Sequence, residues 1–405
     1  MDVTKHLSKR VQSLSESATL EMTRKSRELR EQGIDVITLS IGEPDFNTPD
    51  HVKQAAIAAI DDNKTHYTPV PGIAPLRKAI SDKLQRDNGL EYKPSQIIVS
   101  NGAKQSIMNA LFSLINDEEE VIIPAPYWVS YPEMVKLAGG TPVIIPSTVE
   151  NDFKISPQQL ESAITPHTKA FIFSSPCNPS GSVYSAAELK GLADVFERYP
   201  NIFIISDEIY EYILFEGSHE SIAQFDAIKE RVILINGLSK GFAMTGWRVG
   251  YMAAPQWIAD ACNIIQGQYT SGSCSISQEA ALEAVNTIPS ESKELAEMVT
   301  QFRERRDLLF SLLSEIPGII PNKPLGAFYL FPDLSYFYGK SDGKQTINNS
   351  SDLCLYLLAE AHVALVSGDA FGNDNCIRFS YATGKAQIKE AVSRIAGALQ
   401  KLQQP

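Results

Sequence analysis

Residues 207–250 read DEIYEYILFEGSHESIAQFDAIKERVILINGLSKGFAMTGWRVG. An apolar run from Ile202 to Ile205 delivers Asp207 and Tyr210 at its carboxyl end, and a second, Val232 to Ile235, delivers Ser239 and Lys240 at its own. Two parallel strands would align an acid, a phenol and an amine along one sheet edge, where open α/β sheets bind ligands. Arg248 follows beyond the loop GFAMTG and offers a fixed positive fork suited to phosphate or carboxylate.

The same alternation of strand and helix extends on both sides. Upstream, Ile97–Val99 breaks at SNGAKQSIMNALFSLI, where Gly102, Ala103 and Lys104 open a helix over 103–115 whose first N–H groups suit an anion. Val121–Ile123, a helix near 128–138 and a strand at 143–145 form a βαβ unit, and Tyr127, Trp128 and Tyr131 just past the first strand suggest an aromatic platform. Ala170–Phe173 leads into PCNPSG, a rigid turn holding Asn178, and Ser185 with Glu188 predicts a capped helix over 186–199. Near the start, VITLSIGEPDF places Gly42 where backbone can approach a ligand, and the stiff HYTPVPGIAPLR at 66–77 predicts a binding loop or subunit contact. Downstream, VGYMAAP reads as a further strand and 256–289 as helical. The stretch 291–315 predicts a bridging helix whose Arg303, Arg305 and Arg306, set among acids, belong to a solvated face. GAFYLFPDL and CIRFSYA are strand-like, YGKSDGKQTINNSS reads as an exposed insertion, and 386–402 as a closing helix.

A chain of 405 residues is long for one core, which favours two domains. The net charge of −12 disfavours nucleic acid and anionic membrane as partners. Five cysteines without a CxxC predict reduced thiols, and an amino terminus without an apolar signal core, with no stretch of transmembrane length, predicts a cytoplasmic protein.

Elimination narrows the chemistry. The sequence has neither GxGxxG nor GxxxxGK, which disfavours dinucleotide and P-loop sites. It has no HExxH, and its six histidines are dispersed, so no metal site is expected. A lysine, an acid, an asparagine, a tyrosine, aromatic rings, a helix entrance and an arginine remain. They suit a planar, phosphorylated pyridine aldehyde, with lysine forming a Schiff base and the acid holding the ring nitrogen protonated.

The motifs GEPDF, YTPVPG, SNGAKQ, PYWVSYPEM, PCNPSG, SDEIYE, NGLSKGFAMTGWRVGY, GAFY and IRFSYAT follow one another over residues 40–384. Together they resemble the class I, fold-type I pyridoxal-phosphate aminotransferases, and among them the bacterial aspartate and aspartate/prephenate branch. The resemblance implies an α/β fold with a mostly parallel seven-stranded sheet in a large domain and a smaller α+β domain. It divides the chain into a segment 1–47 that covers the site, a large domain 48–290, a bridging helix 291–316 and a small domain 317–405.

It also implies that Lys240 carries pyridoxal phosphate, that Asp207 pairs with its ring nitrogen, that Tyr210 and Asn178 reach its phenolic oxygen and that Trp128 stacks on its ring. Gly102, Ala103, Lys104, Ser239 and Arg248 would surround the phosphate, with Tyr67 reaching it across a homodimer interface. Arg378 would bind the substrate α-carboxylate beside Asn178, Trp128 and the Gly42 backbone, while Lys104, Ser17 and Thr19 would read a distal carboxylate. Two positions depart from the animal-type pattern: Gly237 stands for a phosphate-binding serine and Tyr131 for a histidine beneath the acid. The implied reaction is ping-pong transfer from aspartate to 2-oxoglutarate. Prephenate or aromatic transamination is the alternative, followed by a lyase or a catalytically silent regulator on the same fold.

Overall fold

The computed structural model describes residues 6–16 and 18–403. After the short β1 (Ile37–Thr38), seven strands build the large sheet: β2 (Ile97–Ser100), β3 (Glu120–Pro124), β4 (Thr141–Ile145), β5 (Thr168–Ser174), β6 (Phe203–Asp207), β7 (Val232–Gly237) and β8 (Gly250–Ala253). Their order is β2-β8-β7-β6-β5-β3-β4. All pairings are parallel except those of β8, which runs against both β2 and β7. The strand at VGYMAAP was legible from its apolar residues, but its direction was not, because the tight return from β7 through 238–249 sets it.

Both faces of the sheet are covered, as parallel strands require. Alternate residues enter two separate cores: Phe171, Phe173, Ile204 and Leu234 face one, Ala170, Ile172, Ile205 and Ile233 the other. The first core takes the apolar stripe of the Ala186–Arg198 helix, whose start carries the expected reciprocal cap between Ser185 and Glu188. The second takes the helices Ala103–Leu114 and Gln256–Tyr269.

The smaller α+β unit contains β9 (Tyr329–Leu330), β10 (Val363–Ala364), β11 (Val366–Ser367) and β12 (Ile377–Ser380). β12 lies between β11 and β9, antiparallel to both, and β1 pairs with β10 in parallel. Helices Lys293–Ser314, Ser350–Glu360 and Lys385–Leu399 complete it.

Two expectations are corrected here. Arg305 and Arg306 are buried rather than solvated. Arg305 meets Asp45 at 2.6 Å and lies over the rings of Phe46 and Phe302, while Arg306 donates to the Pro324 carbonyl and covers Phe215. Tertiary partners far away in sequence overrode the local charge pattern. The stretch 338–351 is also more than an exposed insertion: Ile347 and Ser350 are fully buried, and Ser341 bridges to Thr346 and Gln403.

Candidate active site

The site forms where the strand order turns back. β3 sends the chain outward to β4, and β5 returns on the other side of β3, so a crevice opens at the carboxyl ends of β3, β5, β6 and β7. A cavity of about 410 Å³ lies there, lined among others by Lys104, Trp128, Asp207, Lys240, Arg248 and Arg378. Ala103, Asn178, Tyr210, Ser239, Gly42 and Thr19 also reach it. Gly102 adjoins it as the residue before the Ala103–Leu114 helix.

Asp207 ends β6, and the paired register sets it beside Ile235 of β7 and Ser174 of β5. Its carboxylate accepts from Tyr131 Oη at 2.7 Å and from the Ile209 amide at 3.2 Å. Burial nevertheless pushes its pKa up to about 6, with the two donors opposing that shift. Lys240 sits two residues past Leu238, in the turn after β7, and donates from Nζ to the Gly42 carbonyl at 2.6 Å. Burial pushes this amine down to about 8. The Gly42 backbone therefore does approach the reactive end of the site, through its oxygen.

Arg378 projects from β12 and is almost fully buried. It donates to Asn178 Oδ1 at 2.9 Å and to the Ser40 carbonyl at 2.6 Å, while its Nε has no partner among the described residues. An orphaned donor on a buried cation at a cavity wall is open to an anion. Lys104 lies 4.7 Å from the Trp128 ring centroid, and its pKa is lowered by burial and then by Arg248. Trp128 in turn meets Tyr131 edge to face at 5.5 Å. Of the three rings after β3, Trp128 and Tyr131 line the cavity; Tyr127 turns away and packs by Gly372.

The phosphate-sized end is shaped by close approach of backbone. No side chain caps the Ala103–Leu114 helix, and Gly102 before it has φ +83°. A Cβ on Gly102 would strike the Arg248 guanidinium, and one on Gly250 would overlap the Ala103 backbone nitrogen. Arg248, at φ +55°, is steadied by the carbonyls of Thr245 and Asn101 at 3.0 and 3.3 Å. Gly237 has a physical reason as well: a Cβ there would stand 2.9 Å from Gly250 Cα and 3.0 Å from the Val249 carbonyl. The strand return that brings β8 back thus excludes a serine at 237.

Some expected residues stand apart. Tyr67 is fully exposed and does not line the cavity of its own chain. Ser17 lies outside the described residues. Others line the site without having been assigned a place: Leu20, Glu43 and Thr245 at its rim, with Thr245 donating to Glu43 at 2.8 Å, and Tyr329 behind it, 2.9 Å from Tyr210 Oη. Tyr329 was visible only as the last letter of GAFY, and nothing in that motif says which way it faces. Among the described residues no cluster of His, Cys, Asp and Glu is arranged to hold a metal, and no helix is long and apolar enough to cross a membrane.

These groups fit pyridoxal phosphate: a half-buried amine with a lowered pKa, a buried carboxylate in the same cavity, a flanking indole, and an uncapped helix start beside an arginine. Comparison with known proteins agrees. Residues 34–395 match the aminotransferase class I and II family. The chain is 49% identical over 401 residues to a bifunctional aspartate aminotransferase and glutamate/aspartate-prephenate aminotransferase of Petunia hybrida, covering 98% of this chain and 84% of that one. It is 48% identical over 382 residues to an aspartate/prephenate aminotransferase of Cereibacter sphaeroides, covering 94% and 95%. Among solved structures, an aspartate aminotransferase from Rhizobium meliloti superposes with a TM-score of 0.95 at 41% identity, covering 98% of this chain and 99% of that one. The Thermus thermophilus aspartate aminotransferase with maleate gives 0.89 at 39% identity, covering 97% and 99%. The chain therefore belongs to the class I and II aminotransferases and is a pyridoxal-phosphate-dependent transaminase.

Proposed function

We propose that the protein transfers the amino group of L-aspartate to 2-oxoglutarate, giving oxaloacetate and L-glutamate in a ping-pong cycle. The observation that carries this reading is a pair of cations lining one cavity, the buried Arg378, whose Nε has no partner among the described residues, and the more exposed Lys104 against Trp128. A dicarboxylate has two charges that must not be buried unpaired, and two cations answer them. Arg378, held by Asn178 and Ser40, would take the α-carboxylate and so fix the orientation of the substrate's α-carbon. Lys104 reads the distal carboxylate, with Thr19 lining the same cavity.

When bound, pyridoxal phosphate supplies an aldehyde for amine exchange and a ring that takes up electron density from the α-carbon. Lys240 moves the α-carbon proton, a task its lowered pKa suits near neutral pH. Asp207 would pair with the ring nitrogen, and Tyr131 holds that carboxylate in place. Tyr210 and Asn178 donate to the phenolic oxygen. Ser239, Arg248, Gly102, Ala103 and the Lys104 backbone surround the phosphate, completed by Tyr67 of a second subunit in a cytoplasmic homodimer. Residues 48–290 would form the cofactor-bearing body, linked by 291–316 to a closing body of 317–405 with 1–47.

A second reading rests on the exposed apolar Leu20, which lines the same cavity as Trp128 and gives an aromatic substrate apolar surface to meet. The relatives named for prephenate point the same way, since a ring carboxylate could use the Lys104 charge. Comparing kcat/KM of wild type and Lys104→Ser on aspartate, alanine, phenylalanine and prephenate decides the matter. The aspartate value should fall by roughly 1–3 kcal/mol more than the alanine value, as for a lost charged hydrogen bond. An aspartate loss no greater than the alanine loss rules the Lys104 role out.

A further inference from the structure

Tyr329 has no role in the assignments above, yet it reaches three of the groups on which the site is built. It is fully buried on β9. Its Oη lies 2.9 Å from Tyr210 Oη, and its ring centroid is 4.7 Å from the Arg378 guanidinium carbon. A Cβ on Gly42 would stand 3.0 Å from the same hydroxyl, so the backbone that accepts from Lys240 is packed against it. β9 pairs with β12 through Tyr329 and Ser380, which places Tyr329 on the strand beside the one carrying Arg378. Tyr210 follows β6 of the large sheet. The phenol–phenol contact is thus a bridge between the strand pair that holds Arg378 and the strand that holds Asp207.

Burial keeps both phenols protonated in the working range. Two O–H groups that meet at a single O···O contact can place only one proton between the oxygens. If Tyr210 turns its proton toward the cofactor's phenolic oxygen, the proton in the contact must come from Tyr329. We infer that Tyr329 is a positioning residue: its hydroxyl donates to Tyr210 Oη, orients the Tyr210 proton toward the cofactor and strengthens that donation. A hydroxyl that accepts a hydrogen bond becomes a better donor, so charge on the phenolic oxygen is stabilised. The cofactor-linked nitrogen of Lys240 then binds its proton less tightly and reaches its proton-accepting form at lower pH. The inference rests on the proposed contact of Tyr210 with the phenolic oxygen.

The test is an absorbance titration against pH of the pyridoxal-phosphate-loaded protein as wild type, Tyr329→Phe, Tyr210→Phe and the double variant. Phenylalanine keeps the ring over Arg378 and removes only the hydroxyl, and circular dichroism with a thermal midpoint checks that each variant is folded. Tyr329→Phe should raise the midpoint of the absorbance transition by roughly 0.3–0.6 pH unit, the size of a cooperative share of one hydrogen bond. In the Tyr210→Phe background the same change should add nothing. A Tyr329→Phe midpoint equal to wild type overturns the inference, as does an undiminished shift in the double variant. If Tyr210→Phe moves the midpoint and Tyr329→Phe does not, only the role of Tyr329 falls. If Tyr210→Phe itself leaves the midpoint unchanged, the assignment of Tyr210 falls and takes this inference with it.

Discussion

Tyr131 Oη donates to Asp207 Oδ2 at 2.7 Å in a part of the protein where both side chains are buried. The contact joins the helix after β3 to the end of β6, and it opposes the burial that pushes the carboxyl toward its neutral form. Removing it with Tyr131→Phe leaves the Ile209 amide on the other oxygen but takes away the stronger donor. Pyridoxal phosphate affinity, measured by titrating the cofactor-free protein, should weaken by roughly 1–3 kcal/mol. Affinity unchanged from wild type would mean that the tyrosine only fills space.

The same carboxyl makes the cofactor-free protein sensitive to pH in a definite direction. The Asp207 pKa is raised from 3.8 to about 6, so between those values the folded chain holds more protons than the unfolded one. Stability present at pH 4 is then lost as pH rises through 6, by an amount on the order of 3 kcal/mol. Asp207→Asn carries no such cost. Denaturant unfolding of the two cofactor-free proteins should give similar stabilities near pH 4 and a more stable variant at pH 7. Lys240, lowered to about 8, acts in a separate window: stability rises with pH between about 8 and its ordinary value near 10.5. Curves for wild type and Asp207→Asn that stay parallel from pH 4 to 7 would contradict the assignment of the lower window to Asp207.

What was legible in the sequence follows a physical division. Asp207, Tyr210, Ser239 and Lys240 could be read because each lies within five residues of an apolar run, and strand ends position side chains by local geometry. Gly102 and Arg248 were legible for the same reason, at a strand–helix joint and just past a glycine loop. Arg305 was not, because its partner Asp45 is distant in the chain and no local period encodes that meeting. Tyr329 is an intermediate case. Its strand was visible, but β9 is two residues long, too short for alternation to assign a face. Tyr131 was noticed as an aromatic ring beside the acid, whereas its use as a hydrogen-bond donor depends on the lateral order of β3, β5 and β6, which only the sheet reveals.

Tyr67 poses the remaining question, since it is fully exposed in its own chain while the cavity contains Arg248. A tyrosine in the stiff 66–71 loop can serve the phosphate only if it enters a second subunit's site, and this can be tested by mixing defects. In a hybrid of Lys240→Ala and Tyr67→Phe subunits, a shared arrangement gives one site with both defects and one with neither. The intact site combines Lys240 of the Tyr67→Phe chain with Tyr67 of the Lys240→Ala chain. If each chain served its own site, every hybrid site would carry one defect. The expected result is that a tandem-tagged hybrid shows one pyridoxal phosphate site of wild-type affinity per dimer, with the lysine-linked absorbance band and up to half of wild-type activity. Tyr67→Phe homodimers should bind more weakly, by roughly 1–3 kcal/mol for a lost hydrogen bond to a charged phosphate. A hybrid whose lysine-linked site is as weak as that of the Tyr67→Phe homodimer, or an active monomer in sedimentation, would show that Tyr67 does not complete the neighbouring site.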